Sequence, residues 1–381
     1  MRRSTLRAAI AVVTAGLTLT ACGSDDGGSG GDGGGSDAAT ATSAEDLGGM
    51  DALIKAAQEE GTLNVIALPP SWANYDEMLS TFSDKYDIEI SSANPDGSSQ
   101  DELDAVTSQK GQDRAPDVLD VGTSFAKQAA AQDLLAPYTV ATWDDIPDNQ
   151  KDADGRWYND YGGFISIGCN ASVVAKCPTS MAELLDPQYK GQVSLNGDPT
   201  QAAAAFSGVW AAALSNGGGL DDIGPGIDFF VDVKNAGNFN PVEVTPATVQ
   251  SGETPLAIDW DYVNAGLTET LEGQGVEWQV NVPSDGVFGS FYSQAISKFA
   301  PHPAAARLWQ EFLYSDEGQN IWLKGLSRPV RLDAMKEAGT ADEEALAALP
   351  EVDASVEFPD DEQQTAAQKV VSDRWNSEMT G

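Results

Sequence analysis

The sequence predicts an α/β protein built in two lobes, and three observations carry this. Short apolar stretches alternate with segments of helical period along the body of the chain, the pattern of strands joined by helical crossovers. The same order of events starts again after Tyr158. The body of roughly 330 residues is also long enough for two domains of ordinary size, so two α/β lobes account for the pattern better than one very long sheet.

The elements follow in order. A helix is expected over 50–60, with Leu53, Ile54 and Ala57 on one face and Gly61 as its stop. An apolar strand over 63–68 is broken by Pro69-Pro70, and a helix over 76–84, a strand over 88–90 and a helix over 101–110 come next. The strand over 116–121 runs into Gly122-Thr123-Ser124, a turn that leaves backbone N–H groups free to meet a ligand. After Tyr158 come a strand over 162–168 with glycine at both ends, a loop holding Cys169 and Cys177, a short helix over 180–185 and a strand over 192–195. Asp198-Pro199-Thr200 is expected to cap the alanine-rich helix over 201–214. A strand over 255–258 ends at Asp259-Trp260-Asp261-Tyr262. One over 294–297 leads through Pro301-His302-Pro303 into an amphipathic helix over 304–314.

At the N-terminus, Arg2, Arg3 and Arg7 flank an uncharged apolar run over 8–21, which has the form of a signal peptide and is too short for a stable transmembrane span. It ends in Leu19-Thr20-Ala21-Cys22, which resembles the bacterial lipobox, in which the cysteine sulfur takes the lipid and becomes the mature N-terminus. Residues 22–43 are almost all Gly, Ser, Asp, Ala and Thr, a composition that cannot bury a core and behaves as a flexible tether. The boundaries are therefore a signal peptide over 1–21, a tether over 22–43, the first part of lobe 1 over 44–165, lobe 2 over 166–290, the return of lobe 1 over 291–335 and a helical segment over 336–381.

The formal charge of −38 excludes nucleic acid and anionic lipid headgroups as partners. Spread over many acids, it does not by itself make the ligand a cation. Cys169 and Cys177, eight apart in an exported chain, read as a disulfide. With one histidine, His302, and no C-x-x-C, no metal site is expected. The body carries no G-x-S-x-G, H-E-x-x-H, Walker loop or dinucleotide turn, and His302 between two prolines reads as a turn residue. No cofactor and no enzymatic activity are expected.

Two further segments carry a resemblance. The run over 295–306, continuing through Glu311-Phe312-Leu313-Tyr314-Ser315-Asp316-Glu317-Gly318-Gln319, resembles the late signature of extracellular solute-binding proteins. Leu184-Leu185-Asp186-Pro187-Gln188-Tyr189-Lys190-Gly191-Gln192-Val193 is similar to a segment of the iron- and polyamine-binding branch. The resemblance implies a two-lobed type II periplasmic-binding-protein-like fold whose lobes close over a ligand in the cleft between them. It further implies an extracytoplasmic monomer that delivers a small solute to an ABC permease, here lipid-anchored to the cell membrane through Cys22.

For the ligand, the strand-end loops supply Trp72 and Tyr75, Asp120 and Thr123, Asp198 and Thr200, Asp259, Trp260 and Asp261, and Tyr292. Aromatic rings flanked by carboxylates make a box for an organic cation of polyamine-like type. Asp259 and Asp261, two apart on a strand end, are expected to face one way. Trp260 falls where polyamine-binding proteins place a tryptophan, but their W-x-D element is replaced here by Phe291-Tyr292-Ser293. Ferric iron ranks lower, since no Tyr-Tyr pair occurs. An anion of phosphonate type stays open, because Thr123-Ser124 and Thr200-Gln201 each offer a helix N-terminus. So does a role as a ligand-sensing surface lipoprotein.

Overall fold

The computed structural model describes residues 38–349, 352 and 358–379. The signal peptide, the lipobox with Cys22 and the tether up to residue 37 lie outside the described residues.

In the first half, α1 (Met50–Glu60) stops at Gly61, whose φ of 71° is open to glycine without strain. β1 (Thr62–Ile66), α2 (Tyr75–Tyr86), β2 (Glu89–Ala93), α3 (Ser99–Ser108), β3 (Val118–Gly122), α4 (Thr123–Ala131) and the short β4 (Leu135–Ala136) follow. β1 and β2 pair in parallel, and β3 packs beside β1.

The second half is built on β5 (Tyr158–Asn170), β6 (Val193–Leu195), β7 (Leu256–Trp260) and β8 (Trp278–Asn281). Its helices are α5 (Ala203–Ser215), α6 (Gly224–Asn235), α7 (Pro246–Ser251), α8 (Asp261–Gly266) and α9 (Thr268–Glu272). β6 and β7 are parallel, and β7 and β8 flank the later part of β5. The alanine-rich α5 is buried over most of its length against α6, which its small side chains allow.

Two strands join the halves. β5 pairs through its first part with β9 (Gly289–Ser297) and through its second with β7 and β8, and β9 in turn pairs with β3 and β4. β5 is buried along all 13 residues, so its sequence shows no alternation. The remaining elements are α10 (Pro303–Leu313), α11 (Asp316–Lys324), β10 (Arg328–Pro329), α12 (Leu332–Ala338), α13 (Glu343–Ala348) and α14 (Asp361–Met379). α10 packs on α1, and α14 packs on both α6 and α4.

Cys169, near the end of β5, is bonded to Cys177, with Cα atoms 5.8 Å apart. Two local expectations are corrected. Packed chain begins before residue 44: Ala38 is fully buried, and the guanidinium of Arg307 donates to the carbonyls of Ala41 and Ala39 at 2.8 and 3.1 Å. A buried arginine needs such acceptors, and small residues let the chain approach it. The N-cap of α5 is Ala202, without a side-chain cap, while Asp198 instead holds Thr200. His302 is the N-cap of α10, and it fastens Asp117: its backbone N–H donates to Oδ1 at 2.7 Å and its Nδ1 lies 2.9 Å from Oδ2. Among the described residues no helix is long and apolar enough to cross a membrane, and no acidic, histidine or cysteine side chains gather as a metal site.

Candidate cation-binding cleft

The carboxyl ends of β1 and β2 in one half and of β6 and β7 in the other open on a common cleft of about 290 Å³. Open α/β sheets bind ligands at such a place. Loops after the first pair of strands supply Trp72 and Asp96, the first turn of α3 supplies Asp101 and Glu102, and β3 supplies Asp120. The opposite wall is Asn196, Asp198, Glu243 and Asp259, and Tyr292 of β9 lies between. Among the described residues, no lysine, arginine or histidine lines it.

Asp120 sits at the base, nearly buried. Its Oδ2 accepts from the hydroxyls of Tyr75 at 2.6 Å and Tyr161 at 2.9 Å, and Tyr161 in turn accepts from Trp72 Nε1 at 2.8 Å. Burial pushes the Asp120 carboxyl up to about 6, against the pull of the two tyrosine hydroxyls. Glu102 accepts from the Asp120 backbone N–H at 3.0 Å, and burial, then the Asp120 charge, holds its carboxyl far above the usual range. Burial, then Asp120, does the same to Asp160 just beneath, whose Oδ2 accepts from Gln294 at 3.0 Å.

Asp259 on the opposite wall accepts from its neighbour's N–H at Trp260 and from Asn196 Nδ2, both at 2.7 Å. Burial raises its carboxyl to about 7, with those two donors working the other way. Between the acidic walls the rings interlock. Trp72 meets Tyr292 and Tyr262 edge-on at 5.8 and 5.9 Å, and Tyr161 stacks on Tyr292 at 5.7 Å. An aromatic face beside buried carboxyls that have no basic partner suits a positive charge, which draws those carboxyls back to the ionised form.

Of the residues named from sequence, the cleft brings together Trp72, Asp120, Asp198, Asp259 and Tyr292. Tyr75 is fully buried beneath them and reaches the cleft only through Asp120. Thr123 faces the seam between the halves, 3.0 Å from Asn159 Oδ1 and 3.1 Å from the Phe291 carbonyl. Thr200 donates to Asp198 Oδ1 at 2.7 Å and faces a separate hollow under α14. Trp260 alternates away from Asp259 and stacks on Tyr262 at 6.2 Å. Asp261 does not face the way Asp259 does: it accepts from the Phe164 N–H at 2.9 Å and pairs with Arg328 at 2.8 Å. The N–H of Gly122, expected to be free for a ligand, donates to Ser99 Oγ at 3.2 Å.

Sequence reasoning missed Asp96, Asp101, Glu102, Asn196, Glu243 and Tyr161. Pro95-Asp96-Gly97 and Val244-Thr245-Pro246 are turn signals that mark two of these loops. Nothing local marks Glu102, which lies within a helix.

A family profile described as bacterial extracellular solute-binding protein matches residues 113–354. No curated protein matches the chain. Among solved structures, the chain is similar to the periplasmic binding protein AfuA from Actinobacillus pleuropneumoniae with fructose-6-phosphate bound. Identity is 20%, with 84% of this chain and 99% of that one covered and a TM-score of 0.66. It is also similar to iron-bound HitA from Pseudomonas aeruginosa, at 18% identity, 84% and 99% coverage and a TM-score of 0.57. A third is a putative spermidine/putrescine ABC transporter protein from Listeria monocytogenes, at 13% identity, 82% and 98% coverage and a TM-score of 0.58. These likenesses establish the two-lobed periplasmic-binding-protein fold.

Proposed function

The chain belongs to the bacterial extracellular solute-binding proteins, which are binders and not enzymes, and on that premise we propose that its cleft captures a small organic cation of polyamine-like type. The family places it outside the cytoplasm, with a small-molecule ligand and an ABC permease as its partners. The observation that carries the cation reading is the lining: seven carboxylates from both walls, aromatic rings between them and no basic side chain among the described residues. Acids on a surface are ordinary solvation, but Glu102, Asp120 and Asp259 are nearly or fully buried. A buried carboxylate with no cation partner is costly, and an ammonium group placed between these acids offsets that cost.

A phosphate or phosphonate would meet the same carboxylates as like charges, and of the two turns expected to receive it the one at Thr200 has its backbone N–H turned to Asp198. Anchoring through Cys22 belongs to the same proposal, supported by the three arginines, the apolar run and the Leu19-Thr20-Ala21-Cys22 sequence. So do the lobe boundaries at 44–165 with 291–335 and at 166–290, for which the supply of cleft residues from both sets speaks.

The test is a thermal-shift and calorimetric screen with putrescine, spermidine, quaternary amines, phosphonates and ferric citrate. An amine at 100 times its dissociation constant should add about 2.7 kcal/mol of stability. Stabilisation by an anion alone, with no response to any amine, would end the cation reading.

A further inference from the structure

Gly122 ends β3 in one half and Ala203 begins α5 in the other, and no side chain separates them. A Cβ added to Gly122 would stand 2.5 Å from the Ala203 Cβ, well inside van der Waals contact. The Gly122 backbone, at φ −54° and ψ 141°, is open to any residue, so glycine is needed there for space alone. Elsewhere along this seam the backbone N–H of Gln100, in the first turn of α3, donates to the Gln201 carbonyl at 3.3 Å. Only about 10 Å³ of void remains where Gly122 and Thr123 face Ala203 and Phe206. At Gly122 and Ala203, and at Gln100 and Gln201, the halves thus meet through backbone and a single methyl group.

We propose that Gly122 and Ala203 form the contact on which the cleft closes, and that the bond from Gln100 to Gln201 is the latch which closure makes. The inference rests on the reading of the chain as a binder whose halves close over a ligand. Gly122 pairs with Tyr292 on β9, one of the two strands shared by both halves. A wedge so near the shared strands opens the outer rim by more than its own width. The seam tolerates no methyl group at this point, and the missing Cβ sets how far the walls of the cleft can approach.

The test is a cross-link. Gln100→Cys and Gln201→Cys place two thiols on the latch, in the full chain with Cys22→Ser so that the new pair reacts alone. The parent pair should cross-link under mild oxidation. Gly122→Ala should slow this at least about tenfold, and Gly122→Ala with Ala203→Gly should restore the parental rate, because the next atom, Ala203 Cα, is 3.7 Å away. Equal rates in all three, or no cross-link in the parent, would overturn the proposal. So would a Gly122→Ala protein with a lowered Tm that still cross-links at the parental rate, since the contact would then be static packing. Spermidine is the probe for the ligand: acceleration of the parent reaction supports both readings. The same variant pattern with no response to spermidine, putrescine or a quaternary amine retires the cation reading and leaves the latch standing.

Discussion

The carboxyl of Asp259 faces the cleft and that of Asp261 turns to Arg328, although strand alternation would put both on one face. β7 ends at Trp260 and α8 begins at Asp261, so the period changes between the two acids. Their substitutions should therefore differ in kind. Asp259→Asn removes a charge that a desolvated ammonium would meet and should weaken amine binding by about 2 kcal/mol or more, roughly 30-fold, in calorimetric titration. Asp261→Asn should leave affinity within about threefold and cost about 1–3 kcal/mol of folding stability, because it removes the charge from a buried ion pair with Arg328. The reverse pattern would move the site to Asp261. Proton linkage gives a second test. Burial sets the empty Asp259 carboxyl to about 7 and Asp120 to about 6, and a bound cation favours the ionised forms. Binding then releases protons, so Kd should fall as pH rises from about 5 to 7, by up to tenfold per pH unit for each proton displaced, and level off above that window. A Kd indifferent to pH would mean that neither carboxyl meets the ligand.

Among the elements, most strands and helices of the first half were legible, because each shows its own period between clear stops such as Gly61 and Pro69-Pro70. β5 was legible only in part: the apolar run over 162–168 is its middle, and the polar residues at either end are buried by pairing with distant strands, which no local pattern reports. α6 went unread because Gly224-Pro225-Gly226 looks like a turn, whereas its proline occupies the first turn of the helix. The acidic walls were half legible. Asp120, Asp198 and Asp259 sit at strand or turn ends, but Glu102 lies within a helix and becomes a neighbour of the site only through long-range packing. The Cys169–Cys177 bridge was readable from spacing and compartment, and its role follows from its place near the end of β5. It closes a short loop that contributes nothing to the cleft lining. Cys169→Ala with Cys177→Ser should lower stability by about 2–3 kcal/mol and leave amine affinity unchanged. A loss of affinity alongside would show that the end of β5 helps to set the cleft.

At the scale of the whole molecule, buried acids dominate the pH dependence of stability. Burial holds the carboxyls of Glu60, Glu102, Asp117, Asp120, Asp160, Asp259 and Glu311 above their ordinary values. The folded chain therefore keeps protons that the unfolded chain releases near pH 4, and each such group favours the fold less as pH rises from there through its folded value. His302 acts in the same direction: its pKa is raised, mainly by the hydrogen bond to Asp117, so its contribution is full below the unfolded value near 6.5 and is lost as pH climbs through the folded one. Repulsion within a chain of formal charge −38 adds to the trend, but it acts between exposed groups and is screened to about 3 Å in 1 M salt, whereas the buried terms are not. The Tm of the ligand-free protein should accordingly fall between about pH 5 and pH 8, and a clear part of that slope should survive 1 M NaCl. Saturating spermidine should flatten it, since a bound cation stabilises the ionised forms of Asp120 and Asp259 and its increment grows over the same window. Scanning calorimetry across that range decides the matter: a Tm that rises with pH in high salt would mean that these carboxyls are ionised at little cost in the folded chain, and the cleft would lose its electrostatic reason to hold a cation.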